Sequence, residues 1–290
     1  MGANTKYKDS VFSFLFSDPN LLRELYCALE GVSLPADIPV TINTLRDVLF
    51  MDRVNDISFE IGGKLVILIE HQSTINPNMP LRLLIYIARV YEKIIGDKKT
   101  IYTSHLIPLP RPEFFVLYNG VAPYPDEKVL KLSEVFEQAA SLGIPEKVNP
   151  SLELTVRVIN INHGRNEGIV RRSKTLNEYS AFIEKVREYG KEGYNGEEAI
   201  RKAVKYCRDH DILKEFLEAN ASEVLNMLFT EWNWDDAKQV WLEEGREEGM
   251  EKGREEIARN ALVEGASVEF VQKITGFDID KIKSLQASNG

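Results

Sequence analysis

Polar and apolar positions alternate through residues 56–61, which predicts a strand with one buried face. Residues 65–69 form a short, unbroken apolar run, which predicts a strand covered on both faces. The pair Gly62-Gly63 lies between the two segments and indicates a hairpin turn. We therefore predict a pair of antiparallel strands in this region.

The length of the turn decides which side chains share a face of the hairpin. A two-residue loop would place Asp56 and Glu70 on opposite faces. A three-residue loop, which glycine permits through a bulge, shifts the register by one residue and brings both carboxylates to the same side. We predict this shifted register.

The rest of the chain shows strand and helix patterns first and only helix patterns later. Before residue 165 the predicted helices cover residues 10–29, as one helix or a helix pair, and residues 81–95. Asp18-Pro19-Asn20 offers a helix cap within the first of these segments. Further strands are predicted within residues 40–50, 114–118 and 152–161. After residue 173 helices are predicted over 176–189, 197–209, 212–229 and from 235 onward, separated by glycines and by Trp232-Asn233-Trp234.

This change of pattern predicts an α/β domain over residues 1–165 and a helical subdomain over residues 166–240. Residues 241–290 are predicted to form a Glu-, Gly- and Arg-rich helix and a short helical tail. Within the tail, residues 266–285 are predicted to form two short helices around a glycine turn. Glycines recur every four residues in this helix, at positions 245, 249 and 253. Either they let two helices approach closely in a homodimer, or the segment is a charged helix that links the body to the tail.

Polar side chains follow the apolar run of the second predicted strand. Glu70 and Gln72 lie two residues apart and so share a face, while Asp56 lies on the partner strand. Buried carboxylates need compensation, and Mg²⁺ supplies it with one or two carboxylate ligands, waters and phosphate oxygens. Such a site would support phosphodiester hydrolysis. A solvent-facing strand end with ordinary acids fits the spacing equally well.

Asp56 is followed after thirteen residues by Glu70-His71-Gln72, which is similar to the Asp…(Asp/Glu)-x-Lys core of PD-(D/E)XK nucleases. More narrowly, four segments resemble the bacterial recombination-promoting nuclease/putative transposase family. These are NDISF at 55–59, IEHQS at 69–73, MPLRLLIY at 79–86 and VLYNG at 116–120. The resemblance covers roughly the first half of the chain. It implies a restriction-endonuclease-like mixed sheet flanked by helices.

The resemblance also implies site residues. Asp56 and Glu70 would bind Mg²⁺, for which Mn²⁺ can substitute, and the backbone carbonyl of His71 would complete the coordination. Gln72 stands where the superfamily commonly has Lys, so an amide would orient the attacking water by hydrogen bonds instead of supplying a positive charge. Members of the superfamily often place a further acid on the first helix, and Glu24 is the candidate here.

Arg82 lies one turn into the helix that follows the Glu-x-Gln strand. Its guanidinium can clamp a substrate phosphate near the metal, because helix N-termini favour anions. It can equally pair with a carboxylate in a structural role. Both interpretations remain open from the sequence.

Charge and composition narrow the function classes. The net charge of −9 argues against a protein that coats nucleic acid nonspecifically, since that affinity comes from neutralising phosphates. Basic residues at 98–99, 171–174 and 201–208 are either gathered near a nucleic-acid cleft or part of a solvated surface. No apolar run approaches the roughly 20 residues of a membrane span. Cys27 and Cys207 lie far apart, which indicates reduced thiols in a cytoplasmic protein.

We therefore expect a Mg²⁺-dependent deoxyribonuclease, an endonuclease that acts on DNA in recombination or mobile-element biology. The alternative is a catalytically inactive relative that acts as an interaction or assembly module through its helical half and tail. No membrane association is expected, and a homodimer through the helical half or tail is compatible with the sequence.

Overall fold

A computed structural model describes residues 11–43, 56–137, 150–263, 266–277 and 282, with the side chains of residues 56, 98, 230–252 and 255 excluded. The chain divides into two compact units, Met1–Glu231 and Trp232–Gly290. The three-part division expected from the sequence stays a prediction.

The first unit contains a six-stranded mixed sheet, counted over the described residues. Its strands are β1 (Val40–Asn43), β2 (Asp56–Ile61), β3 (Leu65–Gln72), β4 (Arg111–Tyr118), β5 (Glu127–Lys131) and β6 (Thr155–Asn160). Their order across the sheet is β1-β2-β3-β4-β6-β5. Strands β1 to β3 are antiparallel, β3, β4 and β6 are parallel, and β5 pairs antiparallel with β6 at the edge. The carboxyl ends of the parallel strands β3, β4 and β6 consequently lie side by side, at the same end of the sheet.

The hairpin of β2 and β3 has the shifted register that we predicted. A three-residue loop, residues 62–64, joins the strands, and Asp56 pairs directly with Glu70. Gly62 and Gly63 have φ angles of 58° and 65°, a left-handed conformation that costs glycine little because it has no Cβ. Residues directly opposite each other in an antiparallel pair lie on the same face. Positions 56 and 70 therefore share a face of the sheet.

Helices cover both faces of the sheet. The first unit contains α1 (Val11–Leu15), α2 (Pro19–Glu30), α3 (Met79–Ile95), α4 (Glu167–Val170), α5 (Lys174–Lys191) and α6 (Gly196–Asp209), with 3₁₀ turns at Lys98–Tyr102 and Leu132–Val135. Helix α3 packs Leu83 and Ile87 into one apolar core with Val66 and Leu68 of β3. We call this side of the sheet the α3 face.

Local sequence signals explain where the first helices begin. The carboxylate of Asp18 accepts a hydrogen bond of 2.7 Å from the backbone of Asn20, and Pro19 occupies the first turn of α2. This is the cap that the sequence predicts, because proline at that position loses no helical hydrogen bond. Gly31 ends α2 with a φ of 66°. Of the two alternatives predicted for residues 10–29, one helix or a helix pair, the structure shows the pair, α1 and α2.

The sequence interpretation was wrong at Trp232-Asn233-Trp234, where we expected a corner between two helices. Helix α7 runs from Lys214 to Val263, and its non-helical backbone lies at Asn220 instead (φ −132°, ψ 23°). The Asn220 amide donates to the carbonyl oxygen of Phe216 at 2.9 Å, so a side chain competes with the helix ladder there. Tryptophan and asparagine, unlike proline, keep their backbone N–H and leave φ free, so nothing forces a break at 232–234.

The second unit contains the end of α7 and helix α8 (Val268–Thr275), which stops at Gly276 with a φ of 74°. Ala258, Val271 and Ile282 form its small apolar cluster. The glycine turn predicted in the tail is therefore confirmed. The second short helix that we predicted there falls largely outside the described residues.

The edge strand β5 has no counterpart among the predicted elements. Three of its five residues are charged, and Leu130 is its one buried residue, so it lacks an apolar alternation. Strand β6 starts at Thr155 within the predicted segment 152–161, and β1 covers the first four residues of the predicted segment 40–50. Positions 44–50 lie outside the described residues. The mixed α/β class is confirmed, while the restriction-endonuclease-like fold stays a prediction.

Among the described residues, no helix has the length and apolar character that crossing a membrane requires.

Candidate functional site

The centre of the candidate site is the carboxylate of Glu70, near the carboxyl end of β3. Glu70 is 3% exposed and lies on the α3 face. Its Oε1 atom accepts a hydrogen bond of 2.8 Å from Nε2 of Gln72. The same atom lies 2.7 Å from Nη2 of Arg82, which makes an ion pair with one buried partner. One oxygen of this carboxylate is therefore held by two donors.

Helix α3 brings Arg82 to the strand end. Residues 73–78 turn the chain back, and Arg82 follows the helix start at Met79 by one turn, so it sits over the end of β3. Its Nη2 also lies 3.1 Å from the Tyr86 hydroxyl, one turn further along the helix. The Arg82 side chain is 36% exposed, so it extends from the buried Glu70 towards the surface. The structure thus shows the carboxylate-pairing role of Arg82, and the phosphate role stays a proposal.

The other oxygen of Glu70, Oε2, is buried and has no hydrogen-bond partner. A buried charged group without a partner costs about 1–3 kcal/mol or more, so such atoms are uncommon in stable folds. An unpartnered carboxylate oxygen is also a suitable ligand for a hard divalent cation. The donor set at this position therefore fits Mg²⁺.

Asp56 occupies the register position opposite Glu70, on the same face. Its side chain lies outside the described residues, so the prediction that the two carboxylates share one cation stays a prediction. The described side chains contain no group of three or more His, Cys, Asp or Glu that could hold a metal ion. Magnesium does not need such a group, because it keeps several waters and uses only one or two carboxylates.

Comparison with known proteins finds that part of the chain matches a protein family. Residues 42–153 match the family described as putative transposase, YhgA-like. We call residues 42–153 the transposase-family segment. The match confirms the resemblance to a putative transposase family that the sequence showed, and it does not address the PD-(D/E)XK superfamily. Comparisons with curated proteins and with solved structures found no match.

The transposase-family segment includes Asp56, Glu70, Gln72 and Arg82, so the whole candidate site lies within it. Strands β2 to β4 and helix α3 lie entirely inside the same segment. The remaining candidate residue, Glu24, lies outside it. The matched segment therefore coincides with the part of the fold that builds the polar strand end.

His71 lies between the two site residues of β3 and faces the opposite side of the sheet. Its ring stacks on Phe12 with centroids 4.7 Å apart, and its Nε2 lies 3.2 Å from the hydroxyl of Tyr179. Burial, followed by the positive charge of Arg187, lowers the pKa of His71 to about 3. The imidazole is therefore neutral at physiological pH and serves packing. Only its backbone carbonyl, as we predicted from the resemblance, remains a proposed metal ligand.

Glu24, the candidate ligand on the first helix, has a different set of contacts. Its Oε1 accepts from the Ser173 hydroxyl at 2.6 Å and from the Thr175 backbone at 3.2 Å. A carboxylate near the first N–H groups of α5 stabilises that helix end. The described contacts thus give Glu24 a role in joining α2 to α5, while metal binding by Glu24 stays an untested prediction.

Two polar residues on the α3 face were missed by the sequence interpretation. Ser58 is 2% exposed and its hydroxyl has no hydrogen-bond partner. Asn43 pairs with Ser58 across β1 and β2, and its buried Nδ2 atom also lacks a partner. The alternation of residues 56–61 already indicates that Ser58 shares a face with Asp56, but nothing in the local sequence distinguishes it from a solvent-facing serine.

Some basic residues proposed for nucleic-acid contact are paired with nearby acids. Arg171 lies 2.8 Å from Glu167, and Arg201 lies 2.6 Å from Glu197, each four residues earlier on its helix. These pairs are more than half exposed, so each contributes well under about 1 kcal/mol. They support the interpretation of these positions as a solvated helical surface.

Proposed function

We propose that the protein is a metal-dependent nuclease that hydrolyses phosphodiester bonds of DNA, with its active site at the carboxyl end of β3. The observation that carries this proposal is the Glu70 carboxylate, with one oxygen held by Gln72 and Arg82 and the other buried without a partner. The match of residues 42–153 to a transposase family suggests a link to mobile elements. Both the cleavage activity and the choice of DNA belong to the proposal.

In this proposal Asp56 and Glu70 hold Mg²⁺ or Mn²⁺, with the His71 carbonyl as a third protein ligand. The bound ion would lower the pKa of an attacking water and neutralise charge developing on the phosphate. Gln72 and Arg82 keep Oε1 of Glu70 in place, which leaves Oε2 for the ion. The side-chain oxygen of Gln72, Oε1, would orient the attacking water.

Arg82 supports the choice of a phosphodiester substrate. Its side chain is partly exposed at the N-terminal turn of α3, where backbone N–H groups and the helix dipole favour anions. Arginine has five N–H donors, so the same side chain can contact Glu70 and a phosphate together. Arg82 would thus draw the substrate phosphate towards Glu70 and keep its own contact with the Glu70 carboxylate.

Nicking of supercoiled plasmid tests the proposal. Purified full-length protein is incubated with plasmid in Mg²⁺, in Mn²⁺ and in EDTA, alongside Asp56→Ala and Glu70→Gln. We expect nicking that needs the metal and that both substitutions abolish. Glu92→Gln is the matched control, because Glu92 is an exposed acid on α3 with its own arginine partner, Arg89. Nicking that survives in both site variants would contradict the proposal.

A second candidate function is favoured by the residue at position 72. Gln72 cannot supply the positive charge that Lys supplies in the wider superfamily, and its Nε2 atom is already engaged with Glu70. The chain could therefore be an inactive relative that acts as an interaction or assembly module, with the helical half or tail forming a homodimer. Clean wild-type protein that neither nicks plasmid nor binds Mn²⁺ would favour this candidate.

A further inference from the structure

Three buried polar atoms without hydrogen-bond partners lie in one region of the sheet. They are Nδ2 of Asn43 on β1, Oγ of Ser58 on β2 and Oε2 of Glu70 on β3. Ser58 is 2% exposed and Glu70 is 3% exposed. Buried polar side chains nearly always have partners, so three unpartnered atoms on neighbouring strands need a common explanation.

The strand register places all three residues on the α3 face. Asn43 is directly opposite Ser58, and directly opposed residues share a face. Ser58 lies two residues after Asp56 on β2, and Asp56 is directly opposite Glu70. Ser58 is therefore the diagonal neighbour of Glu70, about 7–8 Å away between Cα atoms. The two side chains do not meet in the structure, because Ser58 Oγ and Glu70 Oε2 both lack a hydrogen-bond partner. A water bound to a cation could link them.

The chemistry of the three atoms is complementary to a hydrated cation. Glu70 Oε2 is an anionic acceptor that suits the ion itself. The Asn43 amide nitrogen donates only, and the Ser58 hydroxyl can both donate and accept, which suits the oxygen of a water. Magnesium retains most of its waters when proteins bind it, and those waters need hydrogen-bond partners. The enclosure of Ser58 favours a water over a larger phosphate group.

We infer that Asn43 and Ser58 are positioning residues that hold a water of the cation bound by Asp56 and Glu70. This inference rests on the proposed metal-dependent function and adds a third strand, β1, to the site. Both residues lie in the transposase-family segment, as the two carboxylates do. Their polar atoms have no partner within the protein, and a water of the bound ion would supply one.

Binding of Mn²⁺ tests the inference without a nuclease assay. The affinity of full-length wild type, Ser58→Ala, Asn43→Leu and Glu70→Gln is measured by titration calorimetry or by the paramagnetic signal of free Mn²⁺. We expect Ser58→Ala and Asn43→Leu each to weaken binding about tenfold or more, as removal of outer-shell partners does at other metal sites. Glu70→Gln should abolish binding.

Thermal melting without metal separates this role from a structural one. The Ser58 hydroxyl has no partner to lose, so Ser58→Ala should melt no lower than wild type. Ser180→Ala is the matched control: Ser180 is 1% exposed, and its hydroxyl contacts the carbonyls of Ile161 at 2.6 Å and Leu176 at 3.0 Å. Ser180→Ala should lower the melting temperature and leave the Mn²⁺ affinity of the protein unchanged.

The outcomes separate this inference from the proposed function. Wild-type affinity for Mn²⁺ in both Ser58→Ala and Asn43→Leu overturns this inference and leaves the proposed function standing, provided that Glu70→Gln fails to bind. A wild type that binds no Mn²⁺ overturns the proposed function and this inference together. A Ser58→Ala protein that melts well below wild type shows that the hydroxyl has a structural role instead.

Discussion

Removal of the Arg82 guanidinium is expected to destabilise the fold more than most substitutions at a partly exposed position do. Arg82→Ala takes away the cation that lies 2.7 Å from Glu70 Oε1, while the carboxylate stays buried at 3% exposure. Two unit charges about 4 Å apart interact by about 4 kcal/mol at an effective dielectric constant of 20. Loss of one partner of a buried ion pair typically costs about 3–5 kcal/mol.

The expected cost of Arg82→Ala is about 3 kcal/mol, because the Arg82 side chain is 36% exposed and water screens part of the interaction. Gln72 still donates to the carboxylate and limits the loss. For a domain of about 200 residues, this cost lowers the melting temperature by roughly 6–12 °C. The destabilisation comes from the unpaired charge of Glu70, so neutralising that charge should remove most of the loss of stability.

A double-mutant cycle measures the interaction directly. Arg82→Ala, Glu70→Gln and the double variant are unfolded in urea and followed by far-ultraviolet circular dichroism. Tryptophan fluorescence is unsuitable, since all three tryptophans lie at positions 232, 234 and 241, beyond the first unit. We expect Arg82→Ala to cost about 1 kcal/mol or less in the Glu70→Gln background, so the coupling energy is about 2 kcal/mol.

Arg89→Ala is the matched control on the same helix, because Arg89 pairs with Glu92 at 2.8 Å with both side chains more than 40% exposed. An exposed pair of this kind contributes about 0.5 kcal/mol or less. A cost for Arg82→Ala no larger than that for Arg89→Ala would refute the reasoning. A coupling energy near zero in the cycle would refute it as well.

Three further predictions concern other parts of the first unit. His71 has a folded pKa of about 3 against 6.5 for the unfolded chain, so its contribution to stability is complete above pH 6.5 and is lost as the pH falls from there towards 3. His71→Phe should therefore flatten the pH dependence of the free energy of unfolding, measured in urea, between pH 6.5 and 4. Gly120→Ala should cost about 1–3 kcal/mol in urea unfolding, because its Cβ would overlap the Ser73 carbonyl and the Tyr118 ring, while Gly168→Ala, which meets no atom within 4 Å, should cost nothing. Glu24→Ala should lower stability by about 1–2 kcal/mol through its lost contacts with Ser173 and Thr175 and leave Mn²⁺ affinity intact; a fall in that affinity would instead support Glu24 as a metal ligand.

Local patterns in the sequence were sufficient for the elements around the site. The alternation over residues 56–61, the apolar run at 65–69 and the glycine pair between them predicted the hairpin, and its register is the shifted one of the two that we considered. This succeeded because the side-chain period of a strand and the backbone freedom of glycine act over a few residues only. The beginning of α2 at Asp18-Pro19 was predictable for the same reason.

Contacts between distant segments were decided by the tertiary structure alone. Helix α3 brings Arg82 onto Glu70, and α5 meets Glu24, which is 149 residues from its partner Ser173. Each of these side chains has several plausible partners in the sequence, and the packing of helices on the sheet selects one. The edge strand β5 was missed for a related reason, because an exposed strand gains its structure from pairing with β6 and not from its own apolar pattern.

The sequence by itself therefore determined that Asp56, Ser58, Glu70 and Gln72 lie on strands, and it predicted the register that puts Asp56 opposite Glu70. Only the tertiary structure decided which of their atoms are paired and which are left without a partner. Periodicity depends on neighbouring residues, whereas burial and hydrogen bonding depend on everything that packs against a side chain. The packing of the fold leaves three atoms without a partner: Glu70 Oε2, Ser58 Oγ and Asn43 Nδ2. The proposed cation site follows from these atoms.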